Sequence, residues 1–437
     1  MVILAIRSGS AAFQTTLIKA AAIPMKQLAY TQPIWRQLLN DAPFAWFLRR
    51  EASLSASYQL DELNEEDQKL AAFFDALRIG TESGREPEKE LNFNDWGAVF
   101  IGTVLGLSLD RLSLIEAAID AVDDDHDRAE ELFQAVQWQR PTVEKIQILE
   151  AHDNPLVRQA VIAAYQQPPT DHLIAHWFKD QGSAVICRTL DFIGQHRLTQ
   201  YQEQISMAYG HAEPSVQFAA AKAGVLTNEP AALSIIEQFA LNSSEYLRES
   251  LEFIFRFGNH THTYQWVNNI LNSNLSPRIK VLSVAYNGQI DPMPLIFEVM
   301  EDVNFAQVAG EAFSLLTGAN IIEDNLDEEQ PAGDEPTAAQ KHDFDEHYRD
   351  YEEELPWPST ERTQAWWSEN ASRFNSGERY LAGLAINREN TLKTLYQGNQ
   401  AQRRAAAFEL AAADQSQALI DTTIPVHYQL ALLGKLK

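Results

Sequence analysis

Residues 154–164 read NPLVRQAVIAA, and the same kind of phrase returns as AVICRTLDFIG at 184–194, PSVQFAAAKAG at 214–224 and YLRESLEFIFR at 246–256. Each copy puts small or apolar side chains at i, i+4 and i+7: Val157, Val161, Ala164; Ile186, Leu190, Ile193; Val216, Ala220, Ala223; Leu247, Leu251, Ile254. That period is the apolar stripe of a helix. With weaker copies at Ile279 and Val308, the anchors lie 29, 30, 31, 32 and 29 residues apart. A single helix cannot bury such a stripe alone, so a near-constant period predicts an all-α α-solenoid of stacked helical hairpins.

Punctuation around the phrases agrees with this. Asn154-Pro155, Glu213-Pro214 and Ser276-Pro277 mark helix starts, because proline at the first helical position sacrifices no intrahelical hydrogen bond and presets φ. Upstream, Trp96 to Leu107 and Arg111 to Val122 read as a first hairpin, with Ser108 to Asp110 supplying cap oxygens and Asp123, Asp124 and Asp125 forming a solvated turn. Residues 26–90 form a helical cap: Ile34, Leu38, Leu39, Phe44, Trp46, Phe47 and Leu48, then Leu60, Leu63, Leu70, Phe73, Phe74 and Leu77 recur at helical spacing before a polar loop from Thr81 to Glu90. The repeat array is assigned to 91–321, and Gly318 is its last helix stop.

From 322 to 356 the pattern stops. Residues 322–354 carry fourteen acidic side chains against Lys341 and Arg349, an excess that predicts a mobile acidic insertion. Order returns after Pro356, Trp357 and Pro358, and residues 357–437 read as a C-terminal helical module whose RRAAAFELAA (403–412) looks like another repeat helix. Residues 1–25 read as a disordered leader or an early-assigned start, with Met25 as the alternative first residue.

The balance of 34 basic and 61 acidic residues gives a net charge of −27, which repels a phosphate backbone and argues against nucleic acid. The same acidity either keeps a long repeat protein soluble or steers a basic protein partner onto it. The hydrophobic fraction of 45% is that of a folded chain. No apolar run approaches bilayer length, and the opening run breaks at Arg7, so neither a membrane nor a secretory route is predicted and the cytoplasm is the expected address. The one cysteine, Cys187, reads as a small core residue.

No pattern points to catalysis, a metal or a cofactor. His260 and His262 lie in a stretch read as an inter-helix turn without a second ligand cluster, and His342, Asp343, Asp345, Glu346 and His347 lack the glycine bend and ligand order of a calcium loop. The segment from Gly310 to Gly318 matches neither a nucleophile elbow nor a phosphate loop, so Ser314 is read as a helical residue. Trp366 and Trp367 are adjacent and point about 100° apart on a helix. With Trp357 they form the candidate protein-binding residues, weighed against simple packing between flanking helices.

The array resembles HEAT repeats. The chain from about residue 26 onward resembles a bacterial HEAT-repeat family whose genes often lie near type VI secretion spike and effector genes. The matching phrases are FAWFLRREAS (44–53), LNEEDQKLAAFFDALRIG (63–80), GEAFSLLTGANI (310–321), LPWP (355–358), AWW (365–367), RYLAG (379–383) and RRAAAFELA (403–411). The resemblance implies a HEAT-like α-solenoid that is not an enzyme. It implies an accessory, adaptor or immunity protein that binds another protein, such as a basic type VI effector or spike component. The contrasting expectation is a HEAT-fold enzyme of the DNA glycosylase or bilin lyase kind, for which Arg403 and Arg404 are only an isolated basic pair.

Overall fold

Pro155, Pro214 and Pro277 each open a helix, and two of them are preceded by a side-chain cap: Asn154 Oδ1 accepts from Leu156 N at 2.9 Å and Ser276 Oγ from Arg278 N at 3.3 Å. The computed structural model describes residues 28–180, 182–242, 245–330, 351–352 and 354–436. Its fold is all-α, built of successive helical hairpins, with one short β-hairpin near the C-terminal end. The expected leader at 1–25 lies outside the described residues.

The chain divides into two units. The first comprises Met1–Ser53, Asp61–Thr189 and Thr423–Lys437. It holds most of α1 (Leu28–Leu54) and α2 (Leu60–Glu82), then α3 (Trp96–Leu109), α4 (Leu112–Asp120), α5 (His126–Gln139) and α6 (Asp171–Trp177). Trp46 of α1 stacks on Phe100 of α3 at 3.4 Å between ring centroids, with Trp138 of α5 edge-on at 5.8 Å. The expected caps at Ser108 to Asp110 work differently: Asp110 adopts a left-handed conformation, φ 53°, and closes α3, while no side chain caps α4. Asp125 does cap α5, accepting from Arg128 N at 3.0 Å. The 154–164 phrase is one α-helical turn followed by a 3₁₀ stretch, Gln159–Ala164, yet Val157 and Val161 are buried as the period requires.

α7 (Ser183–Gln195) contains the boundary between the units, after Thr189. The second unit, Leu54–Leu60 and Leu190–Thr422, carries the clearest repeats. One layer consists of α9 (Pro214–Leu226), α11 (Leu247–Phe257), α13 (Pro277–Asn287) and α15 (Ala306–Thr317), each packed on the next. A second layer consists of α8 (Gln202–Ala208), α10 (Ala232–Asn242), α12 (His260–Leu271) and α14 (Met293–Met300), each packed on its hairpin partner in the first. Leu190, Ile193, Val216, Ala220, Ala223, Leu247, Leu251, Ile254 and Val308 are all buried, whereas Ile186 and Ile279 are half-buried.

After the array come α16 (Thr360–Asn370), the hairpin of β1 (Tyr380–Leu381) and β2 (Leu384–Ala385), α17 (Arg388–Gln397) and α18 (Gln400–Ala413), with α19 (Val426–Leu433) returning to the first unit. Gly318 ends α15 at φ +74°, as its sequence position suggests. No helix of the described residues is long and apolar enough to cross a membrane.

Candidate functional site

A helix with one apolar stripe has one wet face, and α11 does not. Besides Leu247, Leu251 and Ile254 it buries Ser250, Glu252, Phe253, Phe255 and Arg256. The second covering comes from the chain's own C-terminal segment. α18 packs on α11, with Phe253 and Phe408 edge-to-face at 5.1 Å. The β-hairpin takes up carbonyls that helix ends leave open: Ala382 N donates to Leu315 O at 2.8 Å, Gly383 N to Leu316 O at 2.9 Å and Tyr380 N to Gly288 O at 2.8 Å.

Charges are buried with this covering, and two carboxylates, Glu409 and Glu252, are paired across it. Glu409 of α18 accepts from Arg256 Nη1 and from Arg379 Nη2, both at 2.6 Å. Arg404 Nε donates to Glu252 at 2.9 Å, and this carboxylate, with that of Glu249 beside it, holds the guanidinium above its ordinary range against the opposing effect of burial. Burial pulls Arg403 down to about 10, and its Nε donates to Leu395 O at 2.8 Å. Thus the isolated basic pair is absorbed by the fold, one member buried and one paired.

A further contact on this layer is made by Tyr351 and Glu352, which are helical, and by Leu355 and Pro358. Glu352 Oε1 accepts from Arg248 Nη2 of α11 at 2.9 Å and from Arg278 Nε of α13 at 3.0 Å, while Oε2 accepts from Arg278 Nη2 at 2.9 Å. The Tyr351 ring lies 4.7 Å from the Arg248 guanidinium, and its hydroxyl donates to Glu311 of α15 at 2.5 Å. Burial would lower Arg248, but Glu311, Glu352 and the neighbouring tyrosines outweigh it and hold the group well above its ordinary value. Burial and then Glu311 push the Tyr351 hydroxyl far up, so it stays a donor. Leu355 is buried and its carbonyl accepts from Gln307 Nε2 at 2.6 Å. Pro358 rests on Gly310, where a Cβ would meet the ring at 3.0 Å.

The segment expected to be a mobile acidic insertion, 322–356, is therefore anchored at both described ends. Leu326 is buried near its start, Ser359 N donates to Leu326 O at 2.7 Å and Glu328 N to Trp357 O at 3.0 Å. Its centre, including the candidate cluster His342 to His347, lies outside the described residues.

Trp357, Trp366 and Trp367 are all half-buried. Trp366 meets Phe313 of α15 edge-on at 5.5 Å and Trp367 packs on Phe374 at 5.1 Å, so adjacent positions on α16 serve two different contacts. Cys187 is half-buried rather than a core residue. His260 and His262 open α12 instead of lying in a turn, and His262 Nε2 faces Glu237 at 2.7 Å. Among the described residues no group of three or more His, Cys, Asp or Glu could hold a metal ion.

Arg248, Arg278, Glu311 and Glu352 escape a reading based on periodicity, because arginines beside apolar positions look like solvated helix faces. One signal was present: Tyr351, Leu355 and Pro358 space apolar anchors by four and three residues within an acidic run. No family model matches the chain, no curated protein matches it and no solved structure matches it.

Proposed function

We propose that the chain is a non-catalytic, protein-binding HEAT-type solenoid, a cytoplasmic accessory, adaptor or immunity protein working with a type VI secretion system. The observation that carries the binding role is the helical layer of α11, α13 and α15, whose side chains hold Tyr351, Glu352, Leu355 and Pro358 by an ion pair, a tyrosine hydroxyl, a backbone carbonyl and a proline seat. Surfaces of that kind are what helical-hairpin arrays generally offer to partners. The secretion context rests on the sequence resemblance. The net charge of −27 favours a basic partner, because a field of that sign speeds encounter with positive surfaces.

The test uses the purified chain mixed with each effector or spike protein encoded beside it, followed by size-exclusion chromatography with light scattering. A joint peak with one of them, weakening as salt is raised, is the expected outcome. Separate elution of every pair at low salt would sink the reading.

A further inference from the structure

A helix with two apolar faces needs two coverings, and among the described residues α1 receives one. Trp35, Leu39, Ala42 and Trp46 line its buried face. On the opposite face Ile34, Phe44 and Leu48 are 57%, 60% and 42% exposed. A lone apolar side chain at the surface needs no explanation, but these three recur in register. Ile34, Gln37, Asp41, Phe44, Leu48 and Glu51 follow one another by alternating steps of three and four residues, the seam along which one helix packs on another. From Ile34 to Leu48 that seam runs about 21 Å, roughly four turns. Phe44 is braced within it: its ring stacks on Phe47 at 6.2 Å, and Phe47 meets Trp96 of α3 edge-on at 5.7 Å.

Two positions of the seam are carboxylates, and they say what covers it. Asp41 forms no ion pair among the described residues, and the ion pair of Glu51 is with Arg50 of its own helix, at 3.5 Å. A carboxylate enclosed between two helices is left uncompensated unless the facing helix supplies a cation. A second copy of this chain does not supply it. In the in-register parallel pair, and in the antiparallel pair that sets Ile34 opposite Leu48, Asp41 meets Asp41 of its own copy. The net charge of −27 adds repulsion between copies and attraction toward a basic surface.

We propose that the outer face of α1 docks a helix of a partner protein, which sets aliphatic side chains against Ile34, Phe44 and Leu48 and lysine or arginine opposite Asp41 and Glu51. The inference rests on the protein-binding reading given above and adds the chemistry of the partner. Its test presumes no secretion component, so the two fail separately.

The probe is a photoreactive p-benzoylphenylalanine in place of Phe44 in the full chain, cross-linked by ultraviolet light in the cells that make it and read by mass spectrometry. The expected adduct joins position 44 to a lysine- or arginine-bearing helical segment of another protein. That protein, purified, is then titrated against the chain and its variants. Phe44→Glu/Leu48→Glu is expected to weaken binding about a hundredfold, because it places two charges in the apolar part of the seam. Asp41→Lys/Glu51→Lys is expected to weaken it at least tenfold at low salt, with a smaller difference as salt is raised. No adduct, an adduct within residues 1–27 of the same chain, an adduct with a second copy, or an adduct on a segment without basic residues would each overturn the proposal. So would binding that either folded variant leaves unchanged. If the apolar variant does not fold, the charge-reversed one decides. A partner of the expected chemistry that belongs to no secretion system would sustain this inference and sink the secretion context.

Discussion

Glu409 on α18 meets Arg256 on α11 at 2.6 Å, with both side chains withdrawn from water and Arg379 closing the carboxylate from a third direction. This trio joins the last helices of the second unit to its repeat array. Removing one partner of a buried pair leaves the other charge stranded, which typically costs about 3–5 kcal/mol, whereas apolar replacement of a whole network is often close to neutral. Glu409→Ala is therefore expected to destabilise the second unit by about that amount in urea unfolding. A loss below about 1 kcal/mol would mean that the pair is wet and worth no more than a surface bridge.

Gly318 ends α15 at φ +74°, and a Cβ there would stand 2.5 Å from the Ala382 carbonyl oxygen. The left-handed conformation and the close backbone approach act together, so Gly318→Ala is expected to cost about 1–3 kcal/mol or more. Its signature is local: the amides of Ala382 and Gly383, which donate to Leu315 and Leu316, exchange faster with solvent than in the unaltered chain. Unchanged protection at both amides would contradict the assignment.

Arg197, itself in a left-handed conformation at φ 54°, donates to the carbonyls of Leu226 at 2.7 Å, Gln417 at 2.8 Å and Ala411. One side chain thus satisfies three backbone acceptors that come from different parts of the second unit. Arg197→Gly keeps the backbone geometry and removes the donors. The expected result is faster hydrogen exchange and proteolysis at 411–419 and fraying at the end of α9, with α10 to α15 unaffected, and no change at 411–419 would show the carbonyls to be satisfied by water.

In the first unit, Glu131 is fully buried and accepts from Trp46 Nε1 and from Arg50 Nη1, the latter at 2.6 Å. Burial pushes its carboxyl up to about 7, with Arg50 and Trp46 pulling the other way. Between about 4.5, where an unfolded glutamate titrates, and about 7, the folded chain retains a proton that the unfolded chain has lost. The contribution of this group is therefore full below that window, falls as pH rises through it and levels off above it. Relative to Glu131→Gln, which stays neutral, the unaltered chain is expected to lose on the order of 3 kcal/mol of stability across the window. Parallel stability–pH curves for the two proteins would refute the assignment.

The repeat array was legible in the sequence because each element of it is local. A stripe at i, i+4 and i+7, a proline at a first turn and a glycine at a last one are decided within about a dozen residues, and a thirty-residue period needs only that they recur. Some local chemistry was still misassigned. Asp110 could equally cap a new helix or close an old one, and the left-handed tolerance of aspartate decided for closure. His260 and His262 look like turn residues until Asn259 is seen to cap their helix, accepting from His262 N at 3.0 Å.

By itself, then, the sequence determined the class of the fold, the helix starts and the stripe that each repeat buries. Only the tertiary structure decided what lies on the other side of α11, α13 and α15. Glu409 stands far along the chain from Arg256, as Glu352 does from Arg278, and no periodicity links such partners. A charged side chain within a helix reads as solvated until its counter-charge arrives from elsewhere, because burial becomes favourable only when both are removed from water together. For that reason the segment that looked most detached, the acidic run 322–356, brings Glu352 onto Arg248 and Arg278 of the array.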